Sequence, residues 1–176
     1  MLTVPPIPTW QAVHPLVVHF PIALLLTAPL FVVIGMFRKP ERSFPFLIAA
    51  RILMGMGTAA TYVASASGEA AAGLAERNPQ AAAVLEAHEE LAVTTELAFT
   101  SLTLIFASIL FVPRVFKVPA TRAVSVWLPA VFLVFYATGA LSLANTAHQG
   151  GRLVHELGIQ AQTPAERTLM HSANCR

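Results

Sequence analysis

The sequence predicts an all-α protein, a transmembrane four-helix bundle, on three observations. Of its 176 residues, 56% are hydrophobic and only 11% are charged. A soluble domain usually carries about 25% charged residues. The apolar residues form four runs, each near the roughly 20 residues a spanning helix needs. The basic residues gather on alternate connections between those runs.

The first span is expected over residues 14–37. Pro15 suits a first helical turn, where a missing N–H costs nothing, and Pro21 lies deeper, where it bends a helix. The second span, 45–68, has Ser43 as its expected N-cap. Arg51 sits near its start and is expected to snorkel back to the interface. The third span, 88–112, is stopped by Pro113. The fourth, 122–148, carries Pro129 two turns in, where a kink is expected. The Ala-rich stretch 69–87 extends the second helix, since Ala favours helix. Asn78-Pro79 then breaks it, and 80–86 lead into the third. Residues 1–158 thus form one transmembrane domain. The polar tail 159–176 is expected to hold a short surface helix starting at Thr163-Pro164.

Charge sets the orientation. Arg38, Lys39, Arg42, Arg51, Arg114, Lys117 and Arg122 lie on one side with Glu41 as the sole acid. The other side has Arg77, Arg152, Arg167 and Arg176 against Glu69, Glu76, Glu86, Glu89, Glu90, Glu96, Glu156 and Glu166. The positive-inside rule puts the first set in the cytoplasm. Both termini are then expected outside, in the periplasm. No Lys or Arg precedes Arg38, so the first apolar stretch reads as a retained helix rather than a secretory signal.

The six histidines all fall on the outer side: His14, His19, His88, His148, His155 and His171. At about 1.5 Å per residue, His19 is roughly 7–8 Å deeper than His14, and His148 roughly 10 Å deeper than His155. Two levels follow, with His19 and His148 deeper and His14, His155 and the helix-opening His88 further out. His148 and His155 share a helix face, while His14 and His19 point apart. Inward imidazoles on antiparallel helices can hold a haem or a metal in a bundle core. A b-type haem asks for one or two axial histidines and a flat apolar slot. Gly57, Ala60, Ala64 and Gly68 lie close to one stripe of the second helix, which would admit such a ring. Arg152 suits a haem propionate.

Plainer readings stand beside these. A stripe of small residues in a membrane helix is at least as often helix–helix packing. His14, His88 and His155, taken singly, fit interfacial or helix-end hydrogen bonding. His19 lies inside an apolar run and Glu96 two turns into the third helix. An ionisable group at depth is a functional hypothesis by default, although Glu96 also fits a protonated carboxyl bonded to Thr94, Thr95 or another helix. Several chemistries drop out. The lone cysteine, Cys175, excludes an intrachain disulfide, a four-cysteine zinc site and an iron–sulfur cluster carried by this chain alone. There is no Asp, hence no Asp-based triad. Phosphate-loop, H-E-x-x-H and C-x-x-C-H motifs are missing. Basic residues scattered over two short loops do not make a nucleic-acid interface.

Two strings carry a family resemblance: His14-Pro15-Leu16-Val17-Val18-His19-Phe20-Pro21-Ile22-Ala23-Leu24, and His148-Gln149-Gly150-Gly151-Arg152-Leu153-Val154-His155. With Ser67-Gly68-Glu69 and Ala87-His88, they make the chain resemble, over nearly its whole length, the bacterial four-helix membrane family named domain of unknown function 2231. Members occur fused or adjacent to cytochrome c or Rieske-type modules. The resemblance therefore implies membrane electron transfer, with His14, His19, His88 and His148 as ligands of a redox cofactor. The family often has Tyr where this chain has His155, which sets His155 apart.

The leading expectation is a cytochrome b-like subunit of the bacterial inner membrane. It holds one or two b-type haems by bis-histidine ligation: His19 with His148, and His14 with His88 or His155. Expected partners are the lipid bilayer, other membrane subunits of a redox complex, and quinone or a periplasmic cytochrome c. An electron-transfer subunit is expected rather than a stand-alone enzyme. A second reading is a copper, iron or zinc site built from these histidines with Glu69, Glu89 or Glu96. A third is a cofactor-free scaffold or assembly subunit.

Overall fold

The computed structural model describes residues 10–75, 78–117 and 126–159. Five helices occur among them: α1 (Trp10–Val17), α2 (His19–Met36), α3 (Pro40–Ala75), α4 (Ala82–Val115) and α5 (Leu128–His155). Four stretches are long and apolar enough to cross a membrane: Ala12–Met36, Glu41–Gly73, Ala82–Val115 and Leu128–His155. The first crossing is α1 and α2 together, interrupted at Val18. Pro21 causes the interruption. It has no N–H to offer the Val17 carbonyl, and its ring crowds that carbonyl. The bonds to either side persist, Val18 N–H to His14 O at 3.1 Å and Ile22 N–H to Val18 O at 3.4 Å.

The helices pack in chain order, α1 and α2 on α3, α3 on α4, α4 on α5, and α2 touches α5 to close the bundle. The main core holds Leu25, Val32, Met54, Phe99, Phe106, Phe132 and Tyr136. Phe99 meets Tyr136 edge-on at 5.4 Å between ring centroids. Prolines and hydroxyls share one logic here. Pro29 cannot donate to the carbonyl four residues back, which leaves the Leu25 oxygen without its helical partner. The Tyr136 hydroxyl crosses from α5 and donates to that oxygen at 2.6 Å. Between α3 and α4, Thr58 and Thr103 hydroxyls bond at 2.8 Å.

Several local expectations change. Ser43 does not cap α3, which begins at Pro40; its hydroxyl donates to Gly35 O at 2.8 Å and so caps the end of α2. Pro113 lies inside α4, which runs on to Val115. Pro129 sits in the first turn of α5, where it needs no kink, behind a wide π turn at 126–127. Arg51 does not snorkel back. A methyl placed on Gly55, one turn deeper, would stand 2.8 Å from its Nη1. Its buried Nε has no hydrogen-bond partner among the described residues. Asn78 does break the chain: its side-chain oxygen accepts from Gln80 N–H at 3.0 Å, a local Asx turn. The expected tail helix lies outside the described residues.

α3 has 36 residues and α4 has 34, about 54 and 51 Å of helix. The hydrocarbon core is about 30 Å thick. The surplus projects at the end away from the basic loops, here termed the histidine end. A second, smaller cluster sits there: Ala75, Ala81 and Leu153, packed by Val84, Leu85, Leu157 and Ile159.

Candidate functional site

His14 and His88 occupy the level between the two apolar clusters, and both are half-buried. His14 leans from α1 onto α3. Its Nδ1 lies 2.9 Å from Ala64 O and 3.1 Å from Ser67 Oγ. A carbonyl only accepts, so Nδ1 carries the proton. Ser67, fully buried, donates its own hydroxyl to the same carbonyl at 2.9 Å. His88 leans from α4 onto α5 in the same manner, its Nδ1–H donating to Thr146 O at 3.0 Å.

Each ring also lies over a glycine four residues past the accepting carbonyl. A Cβ on Gly68 would stand 3.1 Å from His14 Cε1, and one on Gly150 would stand 3.1 Å from His88 Cε1. One device is thus built twice, on α1 with α3 and on α4 with α5. Both imidazoles are held as Nδ1–H tautomers, which leaves Nε2 with a lone pair. Neither Nε2 makes a hydrogen bond among the described residues. Imidazoles whose Nδ1–H is fixed by a carbonyl and whose Nε2 is free are in the form metals bind.

A hydroxyl ladder supports the α5 half. Thr95 Oγ1 lies 2.8 Å from Ser142 Oγ and 2.9 Å from Thr146 Oγ1, and Thr146 Oγ1 donates to Ser142 O at 2.9 Å. The residue whose carbonyl holds His88 is therefore itself tied to α4.

The other histidines do not join this pair. His19, His148 and His155 are exposed. Five residues beyond His14, His19 points away from the bundle, as helical spacing requires. His19 and His148 also stand at different levels. The Tyr136–Leu25 bond aligns His19 with position 142 of α5, so His148 is about 9 Å nearer the helix end. The expected deep pair is thus not brought together. Of the outer combinations, His14 and His88 share one level and one mode of anchoring. Arg152 is occupied within α5 by Glu156 at 3.0 Å and Gln149 at 3.0 Å. Of its expected partners, Glu96 takes the one on another helix: it accepts from Ser65 Oγ of α3 at 2.8 Å. His171 lies outside the described residues.

The small-residue stripe of α3 divides. A Cβ on Gly57 would stand 2.7 Å from Leu25 Cγ, so Gly57 serves plain helix packing, whereas Gly68 receives an imidazole. α5 continues unbroken through Gly150-Gly151. Sequence reasoning missed Ser67, Thr95, Ser142 and Thr146. Their signal was small hydroxyl residues next to the carbonyls and glycines that receive the rings.

These features define a polytopic α-helical membrane protein, embedded in the bilayer by four crossings, with a paired-imidazole layer near one end. The chain belongs to the family of predicted membrane proteins named domain of unknown function 2231, whose profile matches residues 11–163. No curated protein and no solved structure matches it.

Proposed function

We propose that the protein is a cytochrome b-like electron-transfer subunit holding one b-type haem between His14 and His88. The observation that carries this reading is the duplicated anchoring, with two Nδ1–H tautomers fixed by carbonyls, two glycine cradles and two free Nε2 atoms. A haem brings four nitrogens of its own and asks the protein for one or two axial ligands. Among the described residues no group of three or more His, Cys, Asp or Glu is placed to hold a metal ion. A two-histidine layer therefore suits haem better than a bare ion held by histidines and glutamates. When bound, the haem supplies a one-electron carrier. The chain's own part is to hold the rings: Ala64 and Thr146 carbonyls set the tautomers, and the Thr95–Ser142–Thr146 ladder stiffens one anchor.

Charge asymmetry places the histidine end in the periplasm and the basic loops in the cytoplasm of a bacterial inner membrane. A haem held there would supply a one-electron carrier within reach of quinol in the bilayer, a periplasmic cytochrome c or a neighbouring subunit. With His19, His148 and His155 exposed, one haem is proposed rather than two.

The test is a reduced-minus-oxidised spectrum of purified protein, with elemental analysis on the same sample. Low-spin haem b bands are expected, lost in His14→Ala and in His88→Ala and kept in His19→Ala and His148→Ala. Stoichiometric non-haem metal, or neither cofactor, would overturn the reading, as would a His14→Ala variant with full haem content.

A further inference from the structure

We infer that a polar cluster on the lipid-facing seam of α3 and α4, made by Tyr62, Ser65, Glu96 and Thr100, binds the head group of a membrane hydroquinone. The inference rests on the haem reading, which gives the site its redox neighbour. Glu96 is half-buried, with Oε2 held by Ser65 Oγ at 2.8 Å. Tyr62 OH lies 2.9 Å from Thr100 Oγ1, and Thr100 Oγ1 donates to Glu96 O at 2.8 Å. The cluster opens outward, since Tyr62 is 47% exposed.

Its surroundings are those of a surface bathed in lipid. Val63, Val93, Leu97 and Leu104 are all exposed there. Glu96 is about 27 Å of helix from Arg114 at the basic end. That puts it just inside the far boundary of a hydrocarbon core about 30 Å thick. The cluster's groups bond one another, but only one Glu96 oxygen is held among the described residues, and a carboxyl oxygen left over on such a surface is costly unless something polar meets it. A water-soluble ligand does not approach through lipid. A lipid-borne one with two hydroxyls on a flat ring does, and its ring suits the apolar rim.

The chemistry matches in detail. A hydroquinone hydroxyl donates to a Glu96 oxygen, and the second hydroxyl or quinone carbonyl meets the Tyr62–Thr100 pair. Position matches as well. Ser65 follows Ala64, whose carbonyl holds His14. The cluster and the imidazole layer therefore lie on two faces of α3, about one helix diameter, ~10 Å, apart.

The experiment is photolabelling of full-length protein in nanodiscs with azidobenzoquinone and azidonaphthoquinone probes carrying decyl tails. Labelled peptides are mapped by mass spectrometry, and the haem spectrum is recorded on the same samples. Label is expected on α3 around 62–65 and on α4 around 93–104, displaced by decylubiquinol or the naphthoquinol counterpart. The preferred probe tells which quinone class is bound. Glu96→Gln is expected to weaken labelling about tenfold, the loss of one hydrogen bond to the bound head group, with the haem spectrum unchanged. Tyr62→Phe provides a second, milder variant if Glu96→Gln does not fold. Undisplaced or scattered label, or equal labelling of both variants, would overturn the inference. So would cross-links from position 62 or 97 that reach only another protein helix. Displaceable label in a haem-free protein would sink the haem reading alone; haem with no displaceable label would sink this site alone.

Discussion

The two glycine cradles offer the sharpest test of the imidazole layer. In Gly68→Ala the new Cβ would stand 3.1 Å from His14 Cε1, and in Gly150→Ala the new Cβ would stand the same distance from His88 Cε1. Ordinary carbon contacts are about 3.5–4.0 Å, so each ring must retreat by roughly 0.4–0.9 Å. The Nδ1 bonds begin at 2.9 Å to Ala64 O and 3.0 Å to Thr146 O. A retreat at the upper end of that range stretches them past about 3.5 Å, where a hydrogen bond no longer exists. The loss is about 1 kcal/mol of stability from the bond itself, plus the orientation of the ligand. Loss of such an outer partner typically costs about 10–100-fold in metal affinity. The assay is haem retained per protein after dilution into apomyoglobin as acceptor, with the low-spin spectrum followed in parallel. Gly73→Ala and Gly151→Ala are matched controls, because a Cβ at either position meets nothing within 4 Å. In a helix these controls should be neutral or more stable by up to about 1 kcal/mol. Full haem retention and an unchanged spectrum in both Gly68→Ala and Gly150→Ala would refute the reasoning. Equal losses in the controls would refute it too.

Other predictions address the bundle. Tyr136→Phe leaves the Leu25 carbonyl without a partner, and should destabilise the protein in detergent by about 1–3 kcal/mol. Adding Pro29→Ala restores a helical N–H to that carbonyl, so the double variant should recover most of the loss in thermal unfolding. Gly57→Ala drives a methyl to within 2.7 Å of Leu25 Cγ; about 1–3 kcal/mol of overpacking is expected, with the haem spectrum unaltered. Arg152→Ala removes an exposed i,i+4 pair with Glu156 and should change stability by no more than about 0.5 kcal/mol. A loss of haem in that variant would show a role for Arg152 that its present contacts do not. In a Cys175→Ser background, a cysteine placed at Phe37, 85% exposed in the basic turn, should react with an impermeant maleimide only after the inner membrane is opened. Labelling in intact cells would reverse the proposed orientation.

Much of the fold was legible because lipid simplifies the code. Runs of apolar residues long enough to span have few other uses, and Pro, Asn and Gly mark where they break. The gathering of histidines toward one end was legible for the same reason, since position along a crossing is a one-dimensional quantity. Which histidines meet was not. Facing depends on how each helix is rotated against its neighbours, which the periodicity of a single helix does not fix. Depth arithmetic across separate helices also drifts, because register is fixed by contacts such as Tyr136 with Leu25 that no periodicity reveals. The partners that orient the rings are backbone carbonyls, and carbonyls have no letter in the sequence. Prolines misled at helix ends too: Pro113 and Pro129 are tolerated where the carbonyl they abandon lies near a terminus.

The division of the apolar core into two clusters places the imidazole layer at a junction between two solvents. The larger cluster lies where lipid surrounds the helices, and its cohesion comes from close packing and hydrogen bonds, because lipid tails give helices no hydrophobic reason to associate. The smaller cluster around Ala75, Ala81 and Leu153 projects toward water, and its cohesion is hydrophobic, weakened by cooling and by urea. His14 and His88 lie at the level between the two clusters, held on Ala64 and Thr146. Bilayer thickness and lipid type therefore act on the imidazole layer from one side, temperature and chaotropes from the other.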